Sequence, residues 1–272
     1  MSLIYQRLKL LFAKLQNNFS YKSATDIILK LKLLIILCLS FPVQAEQIVI
    51  ASDIWCPYIC ANNSGYFVEL TQQAFLTVGV TAKFETIPFK RALRLAQRDK
   101  IHAVLAINQE SIKRCKLQTS NIVLGQNTND FYVHASNSWQ YSTLTDLEDK
   151  AVASILGYNY GDELNQYLEQ SPLSFYASGE SPFKTNLNLL IKDRVDVLLG
   201  NRYVVEHTAQ VFGYSEDIKF AGSDGNSTSL YVGFSHKDLE KNYQHKFAEG
   251  IENIKQSGQY QAILKKYHIE PW

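Results

Sequence analysis

Asp99-Lys-Ile-His-Ala-Val-Leu-Ala106 and Asp193-Arg-Val-Asp-Val-Leu-Leu-Gly200 have the same order of residues: an aspartate, a base, one apolar and one polar residue, and then an apolar run. A short apolar run of this kind is typical of a buried β-strand. Before each stretch, apolar residues recur at the spacing of one helix face, so we interpret both stretches as helix-to-strand junctions. The repeated junction predicts two lobes of similar build, because a solenoid would repeat at a shorter period.

Strands and helices alternate in the first part of the chain. The short apolar run at residues 47–51 predicts a buried strand, and we interpret residues 80–87 and 101–107 as two further strands; the segments between them carry apolar residues at helical spacing. This alternation is typical of an α/β sheet with parallel pairs of strands. We therefore expect an α/β protein in which each lobe is a mixed, mostly parallel sheet flanked by helices.

Two extended segments, residues 129–135 and 229–234, are the natural crossings between the lobes, since no Pro- or Ser-rich linker divides the chain. Two crossings make the first lobe discontinuous and create a cleft with two hinge strands. We expect lobe 1 at residues 46–133 and 230–272, and lobe 2 at residues 134–229.

Residues 1–45 have the features of a signal peptide. Basic residues outnumber acidic residues by six to one there, and an apolar run at 33–41 follows the basic region. Val43 and Ala45 then supply the small residues that signal peptidase prefers before its cleavage site. The apolar run is too short for a permanent membrane anchor. We expect cleavage after Ala45 and a soluble periplasmic protein; a buried core helix is the alternative.

The composition excludes several classes of protein. With 46% hydrophobic and 19% charged residues, the chain has an ordinary globular composition. A net charge of +1 gives no basic excess, so we expect no nucleic-acid partner. The motifs of serine hydrolases, zinc proteases and phosphate-binding loops are absent, and the six histidines have no metal-ligand spacing. We expect no catalytic nucleophile, no metal and no cofactor.

Three cysteines follow the predicted cleavage site: Cys56, Cys60 and Cys115. An exported protein favours disulfides, and Cys56 and Cys60 are close enough in sequence to close a small loop. A metal site is the alternative, but three cysteines without a nearby histidine are a weak ligand set for zinc. We expect Cys56 to pair with Cys60 and Cys115 to stay reduced.

Candidate ligand-binding residues follow two of the predicted strands. Asp53, Trp55 and Tyr58 come directly after the first strand, and Asn108 and Arg114 follow the third. In open α/β sheets, ligands bind in the crevice at the carboxyl ends of the strands. There a tryptophan can stack on a small ligand, an aspartate can pair with a cation, and an arginine can grip a carboxylate with two hydrogen bonds. The alternatives are a tryptophan packed in a loop and a solvent-exposed arginine.

Taken in order, these segments resemble the family 3 extracellular solute-binding proteins, which have the periplasmic type II fold of amino-acid uptake. The resemblance extends over residues 47–267. Its marks are Gly65-Tyr-Phe-Val-Glu-Leu70, Ile101-His-Ala-Val-Leu-Ala106 before Ser111-Ile-Lys-Arg114, residues 147–156 leading into Gly157, Val195-Asp-Val197, and Gly258-Gln-Tyr-Gln-Ala-Ile-Leu-Lys-Lys-Tyr267. Trp55-Cys-Pro-Tyr-Ile-Cys60 and Pro88-Phe-Lys-Arg91 resemble a stand-alone branch of that family, which places Arg91 among the candidate ligand-binding residues.

The resemblance implies roles for individual residues. Arg114 falls on the family's carboxylate-clamping arginine, and Trp55 falls on its stacking aromatic position. Tyr158 and Asn159 fall on the helix start that binds the carboxylate, where free backbone N–H groups also suit an anion. Asn201 stands where amino-acid binders have an aspartate that pairs with the ligand ammonium. This replacement implies a pocket of altered specificity.

Two functions from different classes are compatible with these residues. The first is a periplasmic solute-binding protein, a monomer that closes on a small polar, carboxylate-bearing, amino-acid-like solute. Its partners would be that small-molecule ligand and an inner-membrane transporter or sensor receptor. The alternative is an enzyme on the same fold that resembles a cyclohexadienyl dehydratase, for which Glu69 is the acid that a motif nominates. The absence of a catalytic constellation favours the binding protein.

Overall fold

The computed structural model describes residues 46–237, 241–267 and 269. The predicted signal peptide, residues 1–45, lies outside the described residues. The strands are β1 (Glu46–Ser52), β2 (Val80–Thr86), β3 (Ala103–Asn108), β4 (Gly125–His134), β5 (Val152–Ile155), β6 (Ser174–Ala177), β7 (Val197–Gly200) and β8 (Ile218–Phe234). The α-helices are α1 (Tyr66–Thr77), α2 (Phe89–Gln97), α3 (Gln109–Cys115), α4 (Asp162–Gln170), α5 (Pro182–Ile191), α6 (Arg202–Phe212), α7 (Tyr243–Gln256) and α8 (Gln259–Lys266). None of these helices is long and apolar enough to cross a membrane.

The strands form one mixed sheet in the order β2-β1-β3-β8-β4-β7-β5-β6. At one end, β1 pairs in parallel with β2 and with β3. At the other end, β5 pairs in parallel with β6 and with β7. We call the first set, with helices α1, α2, α3, α7 and α8, the first half, and the second set, with α4, α5 and α6, the second half. The α/β class and the parallel pairing predicted from the alternating pattern are confirmed.

The two halves are joined by β4 and β8, the longest strands of the sheet, with 10 and 17 residues. β4 and β8 pair antiparallel with each other, and they pair antiparallel with β7 and β3 respectively. The segments predicted as crossings, residues 129–135 and 229–234, overlap these two strands. Hydrogen bonding therefore continues from one half to the other, and the strands expected in the sheets of the two lobes belong to one continuous sheet.

Apolar side chains and one close helix contact explain the packing. Helices cover the sheet, so a parallel strand such as Val197–Gly200 is buried along its whole length. Helices α1 and α7 meet at Gly250, where a Cβ atom would lie 2.1 Å from the carbonyl oxygen of Ala74. Only a residue without a side chain allows this approach, and the approach fixes the last long helix against the first half.

The two halves also contact each other outside the sheet. The backbone N–H of Ile54, just after β1, donates a hydrogen bond to the carbonyl oxygen of Glu180 in the second half, at 2.8 Å. Gly157, just after β5, has a φ of +94°, and a Cβ atom built on it would lie 2.8 Å from the Cβ atom of Lys90 on α2. The loops that follow the strands are therefore in direct contact across the space between the halves.

Candidate functional site

A small cavity of about 40 Å³, which we call the inner cavity, lies where the ends of β1 and β3 face the second half. Its position agrees with the rule that ligands bind at the carboxyl ends of parallel strands. A volume of this size has room for only a few water molecules. The lining residues come from both halves and from the two joining strands: Ser52, Asp53, Trp55, Phe89, Ala106, Asn108, Ser111, Asn127, Tyr158, Asn159, Thr228 and Leu230.

Asp53 is a buried carboxyl group in the inner cavity, with 1% of its surface exposed. The Tyr158 hydroxyl donates a hydrogen bond to it, at 3.2 and 3.1 Å from the two carboxylate oxygens. Burial raises the pKa of Asp53 from 3.8 to about 7, and the hydrogen bond from Tyr158 opposes part of this shift. A carboxyl group that changes charge near neutral pH can pair with a cation or transfer a proton.

Tyr158 is the residue of the second half that reaches Asp53. Its ring packs edge-on against Phe89 of α2, with 5.1 Å between the ring centroids. Burial raises the pKa of the Tyr158 hydroxyl well above its usual value, and the charge of Asp53 raises it further. The hydroxyl therefore remains a hydrogen-bond donor at neutral pH. The Asp53–Tyr158 contact joins the two halves inside the inner cavity.

Trp55 belongs to an aromatic cluster as well as to the cavity wall. Its ring stacks on Tyr58 with centroids 4.7 Å apart, and Tyr58 stacks on Phe67 with centroids 4.9 Å apart. Trp55 lines the inner cavity, whereas Tyr58 lines none of the cavities described in this article. Tyr58 therefore supports the cavity by holding the indole ring, and only Trp55 lies on its wall.

The loop that follows β1 carries a disulfide. Cys56 and Cys60 are bonded, with their Cα atoms 4.6 Å apart, and Cys115 is free and buried. The Sγ atom of Cys56 lies 3.5 Å from Nε2 of His207 on α6, so this loop also contacts the second half. Within the described residues, no group of three or more His, Cys, Asp or Glu side chains is placed to hold a metal ion.

A second and larger cavity, of about 590 Å³, adjoins the first at Tyr158, which lines both. We call it the outer cavity. Arg114, the predicted carboxylate clamp, lines the outer cavity and not the inner one. Its Nη2 atom donates a hydrogen bond to the hydroxyl of Ser111, at 3.1 Å, and Ser111 lines the inner cavity. Arg114 and Ser111 thus connect the walls of the two cavities.

Asn108 and Asn159 line the inner cavity, in agreement with their predicted positions. Asn108 caps α3, because its Oδ1 atom accepts a hydrogen bond from the backbone N–H of Ser111 at 2.9 Å. The Oδ1 atom of Asn159 accepts hydrogen bonds from the backbone N–H of Gly161, at 2.8 Å, and from the side-chain amide of Asn165, at 2.9 Å. Both side chains are therefore held in place by the starts of the helices that follow them.

Two other predicted site residues, Arg91 and Asn201, line none of the cavities described in this article. Arg91 is exposed on α2. Asn201 is 2% exposed and is the N-cap of α6, where its Oδ1 atom accepts a hydrogen bond from the backbone N–H of Val204 at 3.4 Å. Asn201 comes directly after a strand, as expected, but its side-chain amide caps the start of α6.

Glu69, the acid that the motif nominated for an enzyme, lines neither the inner nor the outer cavity. It accepts hydrogen bonds from Lys266 at 2.6 Å and from Tyr267 at 2.8 Å. Burial raises the pKa of Glu69, but the hydrogen bonds from Lys266 and Tyr267 outweigh burial and hold the pKa below its usual value. Glu69 thus attaches the C-terminal helix to α1, and Asp53 is the acid in the inner cavity.

Sequence reasoning missed the residues that the joining strands contribute to the inner cavity. Asn127 of β4 and Thr228 of β8 are directly opposite each other in the antiparallel pair, and both line the cavity. They lie just before the segments predicted as crossings. The signal that could have found them is a polar residue at the entry of each crossing, close to the expected cleft.

The fold and the cavities together define the class of the protein. A mixed α/β sheet in two halves, joined by two neighbouring strands and enclosing a polar cavity between the halves, is the type II periplasmic-binding-protein fold. Residues 48–270 match the bacterial extracellular solute-binding proteins, family 3, and the chain belongs to this family. The resemblance stated from the sequence is confirmed. No match was found among curated proteins.

Solved structures of the same fold include binding proteins and a receptor domain. An arginine-, lysine- and histidine-binding protein from Geobacillus stearothermophilus is 17% identical, with a TM-score of 0.68 over 83% of this chain and 96% of that chain. A ligand-binding core from Nostoc punctiforme in complex with L-glutamate is 16% identical, with a TM-score of 0.63 over 81% and 98%. A histidine kinase sensor domain is 18% identical, with a TM-score of 0.68 over 83% and 98%. At 16–18% identity, these similarities show that the chain has the same fold, and they show nothing further about it.

Proposed function

We propose that this chain is a solute-binding protein whose two halves close over a small amino-acid-like solute, for uptake or for sensing. The observation that carries the proposal is the contact between Asp53 and Tyr158, because polar groups from both halves meet in one buried cavity. Family membership and the solved amino-acid-binding proteins of the same fold support the same conclusion.

The proposed ligand has a cationic end and a carboxylate end. Asp53 is the buried carboxylate that pairs with the cationic end, and Arg114 is the guanidinium that binds the carboxylate. The inner cavity, at about 40 Å³, is far smaller than the roughly 300–1,000 Å³ of typical ligand pockets. Tyr158 must therefore leave Asp53 when the solute enters, and the solute's donor group takes over the hydrogen bond of the tyrosine.

The proposed closing motion uses the predicted lobes. Lobe 1 comprises residues 46–133 and 230–272, lobe 2 comprises residues 134–229, and β4 and β8 act as the hinge strands. We also propose export by the signal peptide, function as a monomer, and delivery of the solute to an inner-membrane transporter or receptor. The histidine kinase sensor domain of the same fold makes sensing a direct alternative to uptake.

A thermal-unfolding screen of the chain without residues 1–45 tests the proposal. Amino acids, dicarboxylates and polyamines are added singly, since a ligand at about 100 times its Kd stabilises the folded state by about 2.7 kcal/mol. We expect stabilisation by an amino acid, whose ammonium group pairs with Asp53 and whose carboxylate binds Arg114. Asp53→Asn should abolish this stabilisation, whereas Glu216→Gln, at an exposed carboxylate on the surface, should leave it unchanged. Stabilisation that survives in Asp53→Asn would contradict the assignment of the site.

One observation favours a second function, an enzyme that resembles a cyclohexadienyl dehydratase. Asp53 is a buried acid with a pKa of about 7 in a cavity, as a general acid requires. In an enzyme of this kind the acid would protonate the ring hydroxyl of a cyclohexadienol carboxylate, so that the hydroxyl leaves as water and the ring carboxylate as carbon dioxide; the aromatic product absorbs in the ultraviolet. Turnover by the wild-type chain and its loss in Asp53→Asn would establish the enzyme, and stabilisation by the substrate without turnover would support binding alone.

A further inference from the structure

The outer cavity has an excess of positive charge. Lys90, Arg94 and Arg114 line it, and Glu169 is the one carboxylate among its lining residues. Within the described part of the chain, none of these three cations forms an ion pair. The remaining lining residues, among them Gly157 and Tyr158, are apolar or uncharged.

The three cations are placed together by the ends of two helices of the first half. Lys90 and Arg94 are one turn apart on α2, so their side chains project from the same face of the helix. Arg114 comes from the last turn of α3. The start of the Lys90 side chain is fixed by its close approach to Gly157. All three cations thus face the loop and helix of the second half that carry Gly157 and Glu169.

Lys90, Arg94 and Arg114 are exposed, so water screens their mutual repulsion, but together they give the outer cavity a positive potential that attracts anions. Elsewhere a carboxylate of the protein neutralises a cation, as Glu69 does for Lys266. In the outer cavity, Glu169 is the one carboxylate among the lining residues, against three cations. The volume of about 590 Å³ lies within the range of small-molecule sites, roughly 300–1,000 Å³. The outer cavity therefore has both the room for a small molecule and an excess of positive charge.

We infer that the outer cavity binds a small anion with at least two negative charges, such as a dicarboxylate, a tricarboxylate or a phosphate ester. Arg114 and Arg94 each supply a planar pair of hydrogen-bond donors, and Lys90 supplies a point charge, so that two anionic groups can be bound at once. The inference rests on the proposed function in one respect, since the cavity adjoins the proposed amino-acid site at Tyr158. The inference adds the class of the ligand, which would carry at least two negative charges at its anionic end.

The test uses citrate and pyrophosphate as probes, each compared with sodium chloride at equal ionic strength. Thermal unfolding and calorimetry are measured on the chain without residues 1–45. We expect stabilisation above the salt control, with the preferred probe distinguishing carboxylate from phosphate as the anionic group. The double variant Lys90→Gln, Arg94→Gln should bind the probe at least about tenfold more weakly, because two charge-assisted contacts are lost.

Arg98→Gln is the matched control, since Arg98 is an exposed arginine that follows the same helix and lines none of the cavities. It should bind the probe with unchanged affinity. Equal weakening in Arg98→Gln and in the double variant would overturn the inference in favour of nonspecific attraction. No stabilisation above the salt control by either probe would overturn it as well.

The outcome is separable from that of the proposed function. Amino-acid binding that depends on Asp53, together with failure of both polyanions, would contradict only the inference about the outer cavity. Polyanion binding that depends on Lys90 and Arg94, together with failure of every amino acid, would support the outer site and contradict the amino-acid-like ligand.

Discussion

The hydroxyl of Tyr158 lies 3.1 and 3.2 Å from the two carboxylate oxygens of Asp53, a residue 105 positions away in sequence, and this contact joins the two halves of the sheet. The contact occupies the one buried carboxyl group of the inner cavity. A solute that pairs with Asp53 therefore competes with Tyr158, and binding is coupled to the contact between the halves.

The charge of Asp53 should make stability depend on pH. Burial raises the pKa of Asp53 from 3.8 to about 7, so the folded state holds a proton that the unfolded state has lost between about pH 4 and pH 7. The free energy of unfolding should therefore fall as pH rises through this window. A shift of about three pKa units corresponds to roughly 4 kcal/mol as an upper figure. Urea unfolding from pH 4.5 to pH 8 measures the fall.

Asp53→Asn should remove this dependence and be the more stable protein above pH 7, since an amide has no charge to bury. Glu216→Gln is the control, because Glu216 is exposed and should leave the pH profile unchanged. Parallel profiles for the wild type and Asp53→Asn would show that Asp53 keeps its usual pKa.

Substitution of Arg114 should weaken the binding of a carboxylate-bearing solute. One hydrogen bond to a charged group contributes about 1.5–3 kcal/mol, so Arg114→Ala, which removes two, should lose at least roughly ten- to a hundredfold in affinity. Arg114→Lys should recover little, because a lysine keeps the charge but lacks the planar fork. Calorimetry with the identified solute is the measurement. Lys113→Ala is the control, since Lys113 is exposed on the same helix and lines none of the cavities described.

Gly157→Ala should impair the contact between the halves. A methyl group at Gly157 would lie 2.8 Å from the Cβ atom of Lys90, and the positive φ costs a non-glycine residue about 1–3 kcal/mol. Gly161→Ala is a matched control, with a φ of +91° and nothing within 4 Å of its Cβ position. Both variants should lose stability, but only Gly157→Ala should also lose ligand affinity. Equal ligand affinities in the two variants would show that the contact between Gly157 and Lys90 is not needed for ligand binding.

The cysteines should differ in reactivity. Alkylation of the unreduced, denatured protein should label Cys115 and leave Cys56 and Cys60 unlabelled, because those two are bonded. In the folded protein Cys115 should react slowly, since it is buried and burial raises the pKa of its thiol. Mass spectrometry of the labelled peptides is the measurement, and label on Cys56 and Cys60 without reduction would refute the bridge.

Export should yield a mature chain that begins at Glu46. The apolar run at residues 33–41 and the small residues Val43 and Ala45 favour cleavage after Ala45. N-terminal sequencing of periplasmic material checks the site, and a mature protein that retains residues 33–41 would contradict the soluble periplasmic form.

The sequence predicted the elements of the fold better than the contacts of the site. β1 and β3 could be located as mostly apolar runs because the strands inside a parallel sheet are buried on both faces, and β2, at the edge of the sheet, alternates apolar and polar residues. Asp53, Trp55 and Asn108 line the inner cavity, as expected where the ends of strands converge on one edge of a parallel sheet. These inferences depend only on local pattern and on general topology.

The remaining features of the site depend on contacts that no local pattern encodes. The Asp53–Tyr158 hydrogen bond joins residues of different halves, and its formation follows from how the halves meet. Arg114 has the spacing of a clamp after the third strand, yet the helix turn directs it to the outer cavity. Asn201 was assigned to the ligand, but the start of α6 uses its amide as a cap.

The adjacency of β4 and β8 has a mechanical consequence. Because the two strands that join the halves are hydrogen-bonded to each other, they form a single ribbon. A ribbon of two strands flexes readily out of its plane and twists, but its ladder resists sliding of one strand along the other. The proposed motion of the halves is therefore a bending and twisting of this ribbon, which pairs of distance probes, one probe on each half, would follow.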